Sequence, residues 1–264
     1  VVTSHCRIDA LTAVKANKAI VIRKGPRDHT QMLIWDFDTD VITPGQWMKA
    51  DISPQCCDVT DDGQFVIISA SDFSPLGDSR SKHNKSIGMP MWISVSRPPY
   101  FSALATWETY FHGTFTISST NASMMHQIEW IIPDEVVDLA DNARLLNFDR
   151  RFLRRGWGRV DRHSDSWDYT YLKICQIGQI WFERSNLTVN AHVKDHLGQI
   201  KLEIGPRPGG FNFIDIDNSG RLVYEDKGCL YAWRDFPNGK PQLIADLNPN
   251  KFENIPPPDW ALGP

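Results

Sequence analysis

Seven arginines, Arg144, Arg150, Arg151, Arg154, Arg155, Arg159 and Arg162, crowd into nineteen residues of a 264-residue chain whose net charge is −4. Only Asp149 and Asp161 oppose them locally, and Trp157 sits among them between Gly156 and Gly158. A guanidinium carries planar, bidentate donors and stacks on aromatic faces. Such a segment therefore suits phosphate contacts, base stacking or an acidic partner surface. The same composition also describes a solvated strand and loop whose arginines pair with nearby carboxylates. A second candidate is Arg97-Pro98-Pro99-Tyr100, where a pre-ordered proline backbone presents Arg97 and Tyr100 at small entropic cost. Its alternative is a corner in which Tyr100 and Phe101 fill the core. The candidate partner-binding residues are thus Arg150, Arg151, Arg154, Arg155, Trp157, Arg159 and Arg162, together with Arg97 and Tyr100.

Other reactive residue types are present without the spacing that chemistry needs. Asp36-Phe37-Asp38-Thr39-Asp40 has the alternating carboxylates of a calcium loop, but Val41 stands where the sharp-turn Gly belongs and Trp47 where the bidentate Glu belongs. His192 and His196 are four apart without the Glu of the zinc-protease pattern, and Cys56-Cys57 lacks metal or redox spacing. The prolines of Gly205-Pro206-Arg207-Pro208-Gly209-Gly210 remove the backbone donors of a phosphate cradle, so that stretch reads as a linker between units. No nucleophile elbow or phosphate loop occurs. Asp58, Asp61, Asp62, Asp215, Asp217 and Glu225 fall mostly where turns would use them. No catalytic residue, metal ligand or cofactor is assigned.

The elements that must carry these residues are β-strands. Cys57 to Ser69 contains an acidic turn closed by Gly63 and followed by Phe65-Val66-Ile67-Ile68. Phe213 to Glu225 repeats it around Gly220, with an Asp five positions before each glycine (Asp58, Asp215). Gly accepts the positive φ that closes such a hairpin. Ala19–Arg23, Gln31–Phe37 and Val41–Thr43 form a meander that Pro44-Gly45 ends. Asp72–Gly88 reads as a long exposed loop, and Thr114–Ser118, Gly178–Glu183, Leu187–Val193, Gly228–Trp233 and Gln242–Leu247 read as further strands. One helix is predicted within an insertion over 133–148, with Pro133 and acids at its start. Ten tryptophans spread from Trp35 to Trp260 suit one aromatic anchor per unit.

The Asp-x-x-x-x-Gly-strand turn resembles the blade turns of β-propeller repeat proteins of the WD40-like and TolB-like groups. The Gly-His pair and the repeated Trp-Asp of true WD40 blades are missing. Thr43-Pro44-Gly45-Gln46-Trp47, Ser96-Arg97-Pro98-Pro99-Tyr100 with Trp107, and Pro257-Pro258-Asp259-Trp260-Ala261 resemble an uncharacterised bacterial family. That likeness implies no activity. Gly178 and Gly220 are 42 residues apart, one blade of a propeller.

The reading is an all-β, β-propeller-like single domain over 1–264, with five blades and one short helical insertion. Its expected role is a non-enzymatic protein-binding scaffold module of a bacterial cytosolic assembly, with a partner encoded nearby. Two alternatives stay open: a glycosidase-like hydrolase with carboxylates at the propeller channel, and nucleic-acid binding through Arg150–Arg162. No apolar run reaches the ~20 residues of a membrane span. Five cysteines, two of them adjacent, read as reduced, mostly buried thiols of a cytoplasmic protein.

Overall fold

The structure is a computed structural model that describes residues 5–25, 29–72, 91–108, 147–160, 169–185, 188–208 and 213–262. It is all-β, as expected. Its first sheet is a four-stranded antiparallel meander of β1 (Arg7–Thr12), β2 (Lys18–Lys24), β3 (His29–Asp36) and β4 (Ile42–Lys49). The second holds β5 (Asp51–Ile52), β6 (Asp58–Val59), β7 (Val66–Ser71), β8 (Met91–Ser96) and β9 (Ala103–Glu108), with β5 and β6 both paired to β7. After one helix, α1 (Asn147–Arg154), the third runs β10 (Gly158–Arg159), β11 (Tyr169–Cys175), β12 (Gly178–Ser185), β13 (Thr188–Lys194) and β14 (Ile200–Pro208). The fourth is β15 (Ile214–Ile216), β16 (Leu222–Asp226), β17 (Cys229–Trp233) and β18 (Gln242–Asp246).

The strands form where β-branched and aromatic residues cluster, and apolar side chains line both faces of the interior ones. Lys18-Ala19-Ile20-Val21-Ile22-Arg23-Lys24 shows the pattern: Ala19 and Val21 face the fourth sheet, while Ile20 and Ile22 face the second. Three cores record the stacking. Tyr171, Ile180, Phe182 and Ala191 of the third sheet meet Ile214, Leu222 and Tyr224 of the fourth. Val223 and Leu230, on the other side of the fourth, meet Ile8, Leu33 and Trp35 of the first. Ile20 and Met32 of the first meet Val59, Val66 and Ile68 of the second. The order of packing is therefore third, fourth, first, second. The first and last sheets of the described chain lie against each other.

The two glycine turns are equivalent hairpin entries on different sheets. Gly63 (φ 67°) donates its N–H to the Thr60 carbonyl at 2.8 Å, and Gly220 (φ 84°) donates to that of Asp217 at 3.0 Å. Thr60 and Asp217, each two residues after the repeat Asp, hold their turns through side-chain oxygens that accept backbone N–H groups.

Three local expectations change. Pro44-Gly45 does not end a unit: β4 runs through it to Lys49, because β4 is an edge strand where a missing N–H costs no ladder bond. Gly205-Pro206-Arg207-Pro208 is not a linker but the second half of β14, again at an edge. The helix expected within 133–148 falls almost wholly outside the described residues, as do the loop expected over 73–88 and the strand Thr114–Ser118. The helix that is seen starts at Asn147.

Candidate functional site

The arginine segment forms the hub of the molecule. Helix α1 and the residue that follows it, Arg155, reach all four sheets with side chains close together in sequence. Arg151 donates to Asp9 Oδ1 of β1 at 2.9 Å and to the Pro54 carbonyl of the second sheet at 3.1 Å. Arg154 donates to Asp58 Oδ1 of β6 at 2.6 Å, to the Val59 carbonyl at 2.8 Å and to Asp61 at 3.1 Å. Arg155 donates to Asp215 Oδ2 of β15 at 3.0 Å, to the Ile216 carbonyl at 2.7 Å and to the Ala13 carbonyl at 2.9 Å. Phe152 supplies the fourth connection, stacking on Tyr171 at 4.5 Å and packing on Phe182 in the third sheet.

The three carboxylates belong to one positional set. Asp58 and Asp215 each accept the N–H of the next residue at 2.8 Å, and Asp9 is likewise bonded to the Ala10 N–H. Asp9 was not singled out from the sequence. Asp58 and Asp215 were expected in turns, but they sit on strands and are buried. The signal that would have found all three is an Asp interrupting an apolar strand start: Asp9-Ala10-Leu11, Asp58-Val59, Asp215-Ile216.

Neighbours tune two of these groups in opposite directions. Burial pushes the Asp9 carboxyl up and outweighs the pull of Arg151. Burial is also the largest single influence on Asp215, yet Lys173, Arg155 and the Ile216 N–H together hold it below the usual carboxylate range. Lys173 reaches Asp215 Oδ1 at 2.6 Å and lies 5.8 Å from the Trp157 ring. Between α1 and the strands remains a cavity of about 20 Å³ bordered by Thr12, Arg155, Trp157 and Asp215, enough for one water molecule.

This placement turns four of the expected contact residues inward. Arg151, Arg154 and Arg155 have their guanidinium groups engaged inside the protein, and Trp157 is only 4% exposed. An external ligand would have to displace buried partners to reach them. Arg159 lies half-buried on β10. The side chain of Arg150 and the whole of Arg144 and Arg162 lie outside the described residues.

Arg97 and Tyr100 occupy a different site, where the three family-like segments converge. The Gln46 N–H donates to the Pro99 carbonyl at 2.9 Å, and Gln46 Oε1 accepts the Phe101 N–H at 2.7 Å. A Cβ on Gly45 would lie 2.1 Å from the Pro99 oxygen, so only glycine allows this approach. Arg97 donates to the Trp260 carbonyl and lies over the Phe65 ring, while Tyr100 meets the Trp260 ring edge-on at 5.4 Å. Upstream, the tail is pinned by Arg23, 1% exposed, which donates to the carbonyls of Leu247 at 3.1 Å and Asn250 at 3.1 Å. Arg97 and Tyr100 thus hold the chain's own tail.

The outward-looking surface lies elsewhere. On the third sheet, cross-strand pairing aligns Ile174, Gln179, Lys194 and Ile200 in one row. Ile174 is 74% exposed, Ile200 55%, and Leu197 in the adjoining turn 82%. His196 Nε2 bonds the Gln176 carbonyl at 2.8 Å and ties the two turns of this end together. Two rows inward, Trp181 and His192 stack in parallel at 5.8 Å, with Lys194 Nζ 5.0 Å from the indole; burial holds the His192 pKa down. His192 and His196 therefore serve a stack and a turn. The Asp36 carboxylate likewise closes its own turn, accepting the N–H groups of Asp38 and Thr39.

No helix among the described residues is long and apolar enough to cross a membrane. No protein-family model matches the chain, and no curated protein is similar to it. Among solved structures, the SapL1 lectin in complex with alpha methyl fucoside is similar over 93% of this chain and 81% of its own, at 12% identity and a TM-score of 0.22, a likeness too loose to carry fold or ligand.

Proposed function

We propose that the chain is a five-bladed, propeller-like module that binds another protein and performs no chemistry at its centre. The observation that carries this is the occupied hub. The three carboxylates are each clamped by a cation, and the space beside them has room for one water. The packing order third, fourth, first, second supports a ring with one further place, between the second and third sheets. In the chain, the residues between those sheets lie largely outside the described ones.

The contact surface in this reading is the end of the third sheet that carries Ile174, Leu197 and Ile200. Large apolar residues grouped at one rigid end of a sheet are what partner contacts use. Replacing Ile174 and Leu197 together by Asp leaves the melting temperature unchanged and abolishes capture of a specific partner, identified by pull-down and confirmed with purified components. Undiminished binding by the variant would sink this surface.

A hydrolase remains the rival, because Asp9, Asp58 and Asp215 meet at one helix, as convergent carboxylates would in a channel site. A glycosidase needs a carboxyl free to give a proton and room for a sugar between its pair. Asp215 is held ionised by two cations and the cavity admits no sugar ring. Aryl glycoside turnover that disappears in Asp215→Asn would reverse the order of the two readings. For nucleic acid, the inward arginines weigh against steep salt-dependent binding.

A further inference from the structure

We propose that the cleft where the β17–β18 hairpin faces the Asp40 turn binds a small organic oxyanion, a carboxylate or phosphate ester of a few carbons. The cleft has a volume of about 240 Å³ and is bordered by Arg221, Arg234, Asp235, Asn238, Lys240 and Gln242, with Ala232 as an apolar floor. That size is below the range of drug-sized pockets and fits a compact metabolite.

Its base is rigid. Arg221, with a side chain 5% exposed, is held by Asp40 through two bonds of 2.8 and 3.0 Å and by Asp217 Oδ2 at 2.7 Å. Asp40 belongs to the first sheet's β3–β4 turn and Asp217 to the fourth sheet, so Arg221 locks the two together at the cleft. Asp40 sits at φ 56°, a left-handed conformation uncommon for a residue other than glycine, and it aims its carboxylate at this arginine.

The loop above is equally fixed. Phe236 is buried against the Trp233 ring at 4.9 Å, and Trp233 Nε1 donates to the Asn238 carbonyl at 2.7 Å. Arg234 and Lys240 project from this pinned loop with no hydrogen bond or ion pair among the described residues, and both line the cleft. The cations at the hub and at the base of the cleft, by contrast, are each matched to a carboxylate: Arg151, Arg154, Arg155, Lys173 and Arg221. Two unmatched cations outnumber the one carboxylate, Asp235, that borders the cleft with them, and this excess of positive charge beside the Asn238 and Gln242 amides makes a receptor for an oxyanion: Arg234 supplies a planar fork and Lys240 a point charge.

Isothermal titration with inorganic phosphate, succinate and neutral glycerol, at low and near-physiological ionic strength, tests this. The expected result is saturable binding of phosphate or succinate at one site per chain, none of glycerol, and affinity reduced by about tenfold or more in Arg234→Ala/Lys240→Ala. Lys201→Ala, which removes a cation at the end of the third sheet, leaves the affinity unchanged. Absence of saturable binding by either anion overturns the proposal. So does equal loss in Lys201→Ala, which would mark diffuse attraction to positive charge. Should the double variant melt early, Arg234→Gln and Lys240→Gln are read singly, and full affinity in both also overturns it.

Discussion

The arginines of α1 and the cations beside the β17–β18 hairpin use the same chemistry to opposite ends. Arg151, Arg154 and Arg155 are crowded in sequence, and every one is turned inward onto a carboxylate supplied by a distant strand. Arg234 and Lys240 are sparse, sit on a short loop beside Asp235 and form no ion pair among the described residues. Local charge density therefore identified the residues that hold the sheets together, while the cations left without an ion pair stand apart from it. In an acidic protein a tight arginine cluster finds acids easily once the chain folds. The exceptions are where recognition is to be sought.

The comparison breaks first, if it breaks, at Arg151. Removing one partner of a buried ion pair typically costs about 3–5 kcal/mol, because the other charge stays buried alone. Arg151→Ala is expected to lose that much in urea unfolding at neutral pH, and to recover part of it in acid as the Asp9 carboxyl takes up a proton. The paired change Asp9→Leu/Arg151→Met is expected to return most of the stability. Arg234→Ala/Lys240→Ala should stay within about 0.5 kcal/mol of the parent, as surface changes do. Similar losses in the two arginine sets would abolish the distinction.

Gly220→Val tests the turn that presents Asp215 to the hub. It forces a β-branched residue to positive φ and brings its Cβ to 2.7 Å from Gln176 Nε2, so a loss of about 1–3 kcal/mol in thermal melts is expected. An unchanged melt would remove the hairpin from the account of the hub.

Acid titration sharpens the contrast within the hub itself. The folded pKa of Asp215 is depressed, so its contribution is complete above the unfolded value of about 3.9 and is lost as pH falls through the folded value. Asp9 is raised, so its ionised form opposes folding above its folded pKa and that opposition is relieved as pH falls. Asp215→Asn should flatten the acid limb of the stability curve and Asp9→Asn should steepen it. Limbs that move the same way would mean the two carboxylates share one environment.

The smallest effect concerns the thiols. Burial raises Cys6 to about 11 and Cys56 to about 12. Native protein is expected to modify first at half-exposed Cys175 and Cys229, and at Cys6, Cys56 and Cys57 only on unfolding. Early labelling of Cys56 would place the edge of the hub in contact with solvent.

Much of the scaffold was legible because its signals are local. Gly63 and Gly220 announce their turns within five residues, and β2, β3, β12 and β13 carry unbroken β-branched or alternating patterns. β1 was not legible, since Asp9 interrupts its apolar run and the guanidinium that makes a buried Asp tolerable arrives 142 residues later. The helix in the arginine segment was missed for a similar reason: Phe148 and Phe152 are four apart, but the surrounding charges read as a solvated patch. Spacing reveals which side chains share a face. It cannot reveal that Arg154 and Asp58, 96 positions apart, face each other. The β17–β18 cleft was invisible for the converse reason, as Arg234 and Lys240 look like ordinary surface charges until the loop that fixes them is seen.

The grip of Arg23 on the tail has a consequence for the order of assembly. Its guanidinium lies inside the first sheet, yet the carbonyls that satisfy it belong to Leu247, Asn248 and Asn250. The Cys6 N–H waits for Asn248 in the same way, across 242 positions. During synthesis the first sheet emerges long before these partners, so until they follow it holds an unanswered cation and an uncovered apolar face. It reaches its native packing only when the last strand has left the ribosome. A nascent chain stalled short of Leu247 is expected to bind chaperones through that face, and to be released from them once Leu247 to Asn250 have emerged.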